Sequence, residues 1–236
     1  ADLILNLAGR SIFHPWTENY KTKLRESRIR TTRNLVAALP EQSDALLCSA
    51  SAVGFYGSRG ESKLTETSPR GDDFLAKLSE EWEAEALAAE ASGARVVLMR
   101  FGIILGSEGG AIPKMLPAFR LGLGGPLGSG EQWFPWLHVE DLYRAVRFLM
   151  ETADIRGPVN FSAPHPIRQA ELAKLLGRLL HRPAFLPTPA LAVKLAMGEL
   201  GEALLASQRV VPEQLSEAGF RFSHGEIKYA LRDIIE

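Results

Sequence analysis

Three short apolar runs, each closing on small residues, limit what this chain can fold into. They read "DLILNLAG" (2–9), "DALLCSASA" (44–52) and "ARVVLMRFG" (94–102), with helical sequence between them. Each is apolar on both faces, and a strand of that kind belongs inside a parallel sheet covered by helices. Such sheets bind ligands at the carboxyl ends of their strands. The strand ends "LAG", "SASAVGFYG" and "RFGIILG" should therefore face one crevice. The expected fold class is α/β.

The intervening segments carry helix signals. Residues 17–39 keep apolar residues at helical spacing, with Thr17 placed as N-cap. Residues 72–92 form a second helix, capped by Asp72 and stopped by Gly93, with a stripe from Phe74 through Leu78, Trp82 and Ala86. Further helices are expected at 111–121, 140–152 and 168–180, and a further strand at 157–163. From residue 185 the texture changes. No strand pattern is visible there, and Pro-led helices are expected at 189–206, 212–218 and 224–234. The chain thus divides into 1–184 and 185–236.

Charge and cysteine content exclude several function classes. Lys plus Arg number 27 and Asp plus Glu 28, a net charge of -1, so no polyanion-binding surface and no nucleic-acid partner are expected. No run approaches the roughly 18 apolar residues of a membrane span, so no membrane partner is expected either. The single cysteine, Cys48, lies in an apolar run and reads as a core residue. One cysteine gives no disulfide framework and fits a reducing, cytoplasmic location. The five histidines show no paired spacing, which predicts no metal site.

The motifs "NLAG" (6–9), "SRIRTTRNL" (27–35), "SASAVGFYG" (49–57), "RFGIILG" (100–106) and "WLHVEDL" (136–142) stand in a fixed order. In that order the chain resembles the extended short-chain dehydrogenase/reductases. The block "LGLGGPLGSGEQWFPWLHVEDL" (121–142) and the tail from Pro187 resemble their atypical, epimerase-like branch of the YfcH type, with its C-terminal domain of unknown function. The resemblance implies a Rossmann-like, doubly wound parallel sheet holding NADP(H), with NAD(H) as the alternative, and a small helical C-terminal part. It also implies two βα units and a strand, about 60 residues, ahead of Ala1. Without them the strand at 2–7 would present a bare edge.

Residue by residue, the resemblance places Leu7, Ala8 and Gly9 along the dinucleotide. It places Ser49 and Ala50 near the nicotinamide ribose, and Phe101, Gly102 and Ile103 beside the nicotinamide amide. Arg28 either reaches phosphate or nicotinamide groups or forms a buried ion pair. Ser51 matches the hydroxyl that bonds a substrate oxygen. The superfamily's Tyr-x-x-x-Lys pair puts a phenol and a lysine on one helix face. Here the candidate helix reads "DDFLAKLSEEWEAEA", and neither register supplies both residues. Tyr56 then becomes the candidate hydroxyl contact or substitute acid, against a reading as a turn aromatic. Trp133 is expected in a substrate pocket wall and Phe134 in packing. His138 is either a general acid on the substrate side or a hydrogen-bonding residue at the start of its helix.

The resemblance implies an NADP(H)-dependent oxidoreductase or epimerase-like enzyme acting on a small molecule such as a nucleotide sugar. The other reading is a non-catalytic dinucleotide-binding regulatory protein related to cell division. A homodimer is compatible with both.

Overall fold

The structure, a computed structural model, describes residues 2–236. The first half of the chain contains β1 (Leu3–Asn6), α1 (Glu18–Ala37), β2 (Leu46–Ala52), β3 (Lys63–Leu64), α2 (Phe74–Leu87), β4 (Arg95–Phe101), β5 (Ile103–Leu105) and α3 (Ile112–Arg120). Then come β6 (Trp133–Phe134), β7 (Trp136–His138), α4 (Val139–Glu151), β8 (Gly157–Phe161), β9 (Ile167–Arg168) and α5 (Gln169–Leu179). The C-terminal segment holds α6 (Ala190–Met197), α7 (Glu199–Leu204), β10 (Arg209–Val210), α8 (Glu213–Glu217) and α9 (Ile227–Ile235).

The three apolar runs and the strand at 157–161 form one parallel sheet in the order β1-β2-β4-β8. Alternation along each strand sends side chains to two helix layers. Leu47, Val96 and Leu98 meet Ala86 of α2 and Leu35 of α1. Cys48, Met99 and Val159 meet Ala145 and Leu149 of α4, with Leu215 of α8 behind them. Full burial of a leucine or valine contributes about 1.5–3 kcal/mol each, so this doubly covered sheet is the stable base of the fold. Burial also pushes the Cys48 thiol up to about 11, as suits a core residue.

Local signals set the helix ends. Thr17 caps α1 by accepting from the Tyr20 amide. Asp73, rather than Asp72, caps α2 by accepting from Ala76 at 2.8 Å. The last turn of that segment tightens to a 3₁₀ helix over Ala88–Ser92 and ends at Gly93. The helix expected at 189–206 is two helices, because Gly198 sits at φ +58° and breaks the axis between α6 and α7.

The C-terminal segment also contains a strand, contrary to the helices-only expectation. β10 pairs in parallel with β3, Arg209 opposite Lys63 and Val210 opposite Leu64. Two residues are too few for a period, so only the distant partner defines them. The glycine-rich loop at 122–130 docks on the start of this segment: Thr188 N donates to Pro126 O at 2.9 Å and Gly128 N to Thr188 O at 2.8 Å. No described helix is long and apolar enough to cross a membrane.

Candidate functional site

In the parallel register Asn6 stands beside Ser49, and Ala52 beside Phe101. The carboxyl ends of β1, β2 and β4 are therefore adjacent, and the turns that follow them open on one side of the sheet. Two layers of polar side chains lie beneath those ends.

The first layer ties β1 and β2 to the helices. Asn6 Nδ2 donates to Thr32 Oγ1 at 2.8 Å and to Ser49 Oγ at 3.0 Å. Trp82 Nε1 donates to the same Thr32 hydroxyl at 2.9 Å. Asn6 is thus fixed by α1 and β2 and holds the start of the turn by accepting from the Ala8 amide.

The second layer is a rung across the sheet. Ser51, Arg100 and Asn160 are register neighbours on β2, β4 and β8. Arg100 makes a bidentate pair with Glu83 of α2, both bonds at 2.8 Å, with side chains 4% and 7% exposed. Ser51 donates to Glu83 Oε1 at 2.6 Å. Tyr56 donates to Asn160 Oδ1 at 2.6 Å and accepts from Arg100 at 3.0 Å. The Arg100 guanidinium also lies 3.6 Å over the Phe55 ring. Asn160 extends the rung to the C-terminal segment, donating to Val211 O, while its amide donates to Glu66. Burial raises the Glu66 carboxyl above its ordinary value.

Above these layers lies Arg28. It donates to the carbonyls of Leu24 and Arg10 and lies 5.1 Å over the Trp82 ring. No carboxylate pairs with it among the described residues, and burial draws its guanidinium below its ordinary value while leaving it charged. Gly9 lies directly against it: a Cβ there would sit 3.1 Å from the guanidinium carbon. A cation without an acid among the described residues thus lies against Gly9 in the turn at the strand ends. Such a group suits a phosphate, which a planar guanidinium fork can bond twice.

A cavity of about 520 Å³ opens between residues 13–17 ahead of α1 and residues 196–200 at the α6–α7 junction, and its lining does not include residues 7–9, Arg28 or residues 101–103.

Comparison with known proteins fits this layout. The family described as NAD dependent epimerase/dehydratase matches residues 1–161, and a domain of unknown function, DUF1731, matches residues 188–234. The chain belongs to the NAD dependent epimerase/dehydratase family. It is 40% identical to the epimerase family protein YfhF of Bacillus subtilis over 99% of this chain and 78% of that protein. It is similar to the solved structure of human epimerase family protein SDR39U1 with NADPH: TM-score 0.92, 35% identity, 99% of this chain and 81% of that one. It is also similar to a nucleoside-diphosphate sugar epimerase from Corynebacterium glutamicum, with TM-score 0.79 and 34% identity over 98% of this chain and 45% of that one.

Within this family layout the expected site residues fall into two groups. Leu7, Ala8 and Gly9 line an open turn beside Arg28, with Leu7 58% exposed. Phe101, Gly102 and Ile103 are half-buried at the end of β4, and the amides of Gly102 and Ile103 donate to Phe161 O and Pro135 O. For the ion-pair reading of Arg28, no partner acid stands beside it among the described residues.

The second group lies beneath the surface. Ser49 and Ala50 are buried in the floor of the crevice, and the Ser49 hydroxyl faces Asn6. Ser51 is buried and its hydroxyl proton goes to Glu83, not to an open site. Tyr56, expected at the mouth, is fully buried, and burial pushes its phenol up to about 12. That is the wrong direction for a proton shuttle. Tyr56→Phe should remove one partner from both Asn160 and Arg100. It should cost about 1–3 kcal/mol of stability in urea unfolding and leave cofactor affinity unchanged. Loss of turnover at unchanged stability would return Tyr56 to the chemistry.

Trp133 is not in the cavity wall. The guanidiniums of Arg168 and Arg209 lie over its ring at 4.0 and 4.9 Å from the centroid, and its Nε1 donates to Glu61. Phe134 packs against the core beside α5, as expected.

His138 serves the start of its helix: Nδ1 accepts from the Glu140 amide at 3.3 Å. It also stacks on His224, ring centroids 3.9 Å apart, a meeting the scattered sequence spacing did not suggest. Asp141 braces the same junction by accepting from the Ser223 and His224 amides at 2.8 Å each. His138, Glu140 and His224 each offer a ligand atom within 4.8 Å of the others. Because Nδ1 of His138 is an acceptor, its Nε2 carries the hydrogen and faces Asp233 Oδ2 at 3.3 Å. Even so, Nε2 of His138 and Nδ1 of His224 are both buried with no hydrogen-bond partner among the described residues.

Burial, with His224 beside it, holds His138 below its ordinary value; Asp233, Asp141 and Glu140 oppose this. The unfolded chain therefore takes up a proton near pH 6.5 that the native protein refuses until lower pH. The resulting stability is full above that range and falls as the pH drops through it. His138→Asn, which keeps a capping side chain, should lose less stability than the parent between pH 7.5 and 5.5 in urea titrations.

Proposed function

We propose that the protein is an NADP(H)-dependent oxidoreductase or epimerase-like enzyme acting on a small organic molecule. The observation that carries this is Arg28, a cation without an acid beside Gly9, where three parallel strands end together. The NADPH in the human relative supports the choice of cofactor. Leu7, Ala8 and Gly9 would give the dinucleotide a path with little side-chain bulk, Arg28 would bond its phosphate oxygens, and Phe101 to Ile103 would flank the nicotinamide. When bound, the nicotinamide supplies reversible hydride exchange with carbon.

The chain's own residues then have defined tasks. Asn6, held by Thr32 and Ser49, sets the turn that approaches the dinucleotide. Ser51 and Tyr56 act as positioning residues, through the Arg100–Glu83 pair, and keep β2 and β4 in register under the site. At the start of α2 neither register supplies the superfamily's tyrosine, Phe74 or Leu75 standing in its place, and the Phe74 ring packs edge-on against Trp16 at 5.4 Å.

That substitution favours a second reading, a dinucleotide-binding regulatory protein without turnover. One experiment separates them. NADPH affinity is measured by its fluorescence, followed by oxidation in the presence of a panel of carbonyl compounds. Affinity with turnover supports the enzyme; affinity without turnover across the panel supports the regulatory role; no affinity removes both.

A further inference from the structure

We propose that the substrate is a flat, largely apolar molecule with one polar function, rather than a nucleoside diphosphate sugar. The inference rests on the reading of this crevice as a cofactor and substrate site.

The cavity of about 520 Å³ is the size of a drug-like ligand site. It lies on the strand-end side, since residues 13–17 follow β1 and Trp16 touches Phe74 at the start of α2. Its wall is built from Phe13, Pro15, Trp16, Ala196, Met197 and Leu200.

The polar groups of that wall are already engaged, with one exception. Trp16 Nε1 donates to Ile12 O at 2.9 Å. The Thr17 hydroxyl accepts from the Tyr20 amide. Glu199 pairs with Lys21 at 2.6 Å, so neither presents a free charge. The start of α1 could attract an anion, but Thr17 caps it and Glu18 stands in its first turn. His14 is exposed, lines the cavity and makes no side-chain hydrogen bond among the described residues.

A pyrophosphate and a sugar present many acceptors and two or more charges. Burying them against groups that cannot answer costs each its hydration. Arginine forks and open helix amides, the usual answers, do not line this wall. Aromatic and aliphatic faces with one free imidazole match a planar ring system carrying one acidic or carbonyl function.

The test uses 2-naphthoate and UDP-glucose as probes of the full chain, with and without NADPH, by calorimetry. We expect 2-naphthoate to bind one per chain, and Ala196→Asp and Met197→Asp each to weaken it at least about tenfold, since each puts a charge in the wall. Tyr143→Ser, on exposed α4 surface away from the cavity, should leave it unchanged. UDP-glucose should show no binding that either aspartate variant alters. UDP-glucose binding that both variants weaken overturns the proposal, and so does 2-naphthoate binding indifferent to both. Failure of NADPH to bind removes the cofactor reading, while the probe comparison without NADPH still decides this one.

Discussion

Replacing Glu83 with alanine should cost about 3–5 kcal/mol of folding stability, the largest single-residue effect expected from the polar layers of this protein. The reason is Arg100, whose charge lies within the sheet with 4% of its side chain exposed. Glu83 supplies both bidentate contacts; the others come from the Tyr56 hydroxyl, the Glu66 carbonyl and the Phe55 face. None of those neutralises a full charge. Removing the carboxylate also leaves the Ser51 hydroxyl without its acceptor. A domain has only about 5–15 kcal/mol of stability in total, so the variant should be largely unfolded at modest urea. Removing both charges should be milder: Glu83→Leu with Arg100→Met should recover most of the loss, because the desolvation cost goes with the pair. Urea midpoints of the two variants check this. A loss under about 1 kcal/mol for Glu83→Ala would mean that solvent reaches the pair.

This rung also marks where sequence reasoning stops. The apolar runs, the Thr17 cap, the stop at Gly93 and the convergence of three strand ends depend on neighbours in sequence, so they were legible. The motif set carried the family because it spans the chain in order. Glu83 and Arg100 were not legible as partners. Arg100 sits in an apolar strand but Glu83 is one of four glutamates within residues 80–85, and only folding α2 onto β4 picks it out. The same holds for His138 and His224, and for Trp133, whose flanking cations are Arg168 and Arg209. A small hydroxyl at a strand end looks the same in sequence whether it faces a ligand or a buried carboxylate. Ser51 and Tyr56 therefore lie at the strand end that the sequence marks, but their hydroxyls are buried. One signal is available: Arg100, between Met99 and Phe101 in a buried strand, needs a partner, because unpaired buried charges are scarcely tolerated.

Arg28→Gln should weaken NADPH binding by about ten- to a hundredfold. A charge-assisted hydrogen bond contributes about 1.5–3 kcal/mol, and each 1.4 kcal/mol is tenfold in affinity. Arg28→Lys should lose less, keeping the charge but not the planar fork. The effect should shrink as salt is added, since part of it is Coulombic and the group is partly open to solvent. Stability should move the other way or not at all. Among the described residues Arg28 has no acid to lose, and replacing it relieves the cost of holding a partly buried cation, offset by the bonds to Leu24 O and Arg10 O and the Trp82 ring face. That opposition separates a binding residue from a structural one. If Arg28 were chiefly a brace for the turn, the glutamine variant would lose stability and cofactor affinity together. An NADPH affinity within about twofold of the parent would take the phosphate away from Arg28, and with it the observation on which the cofactor site rests.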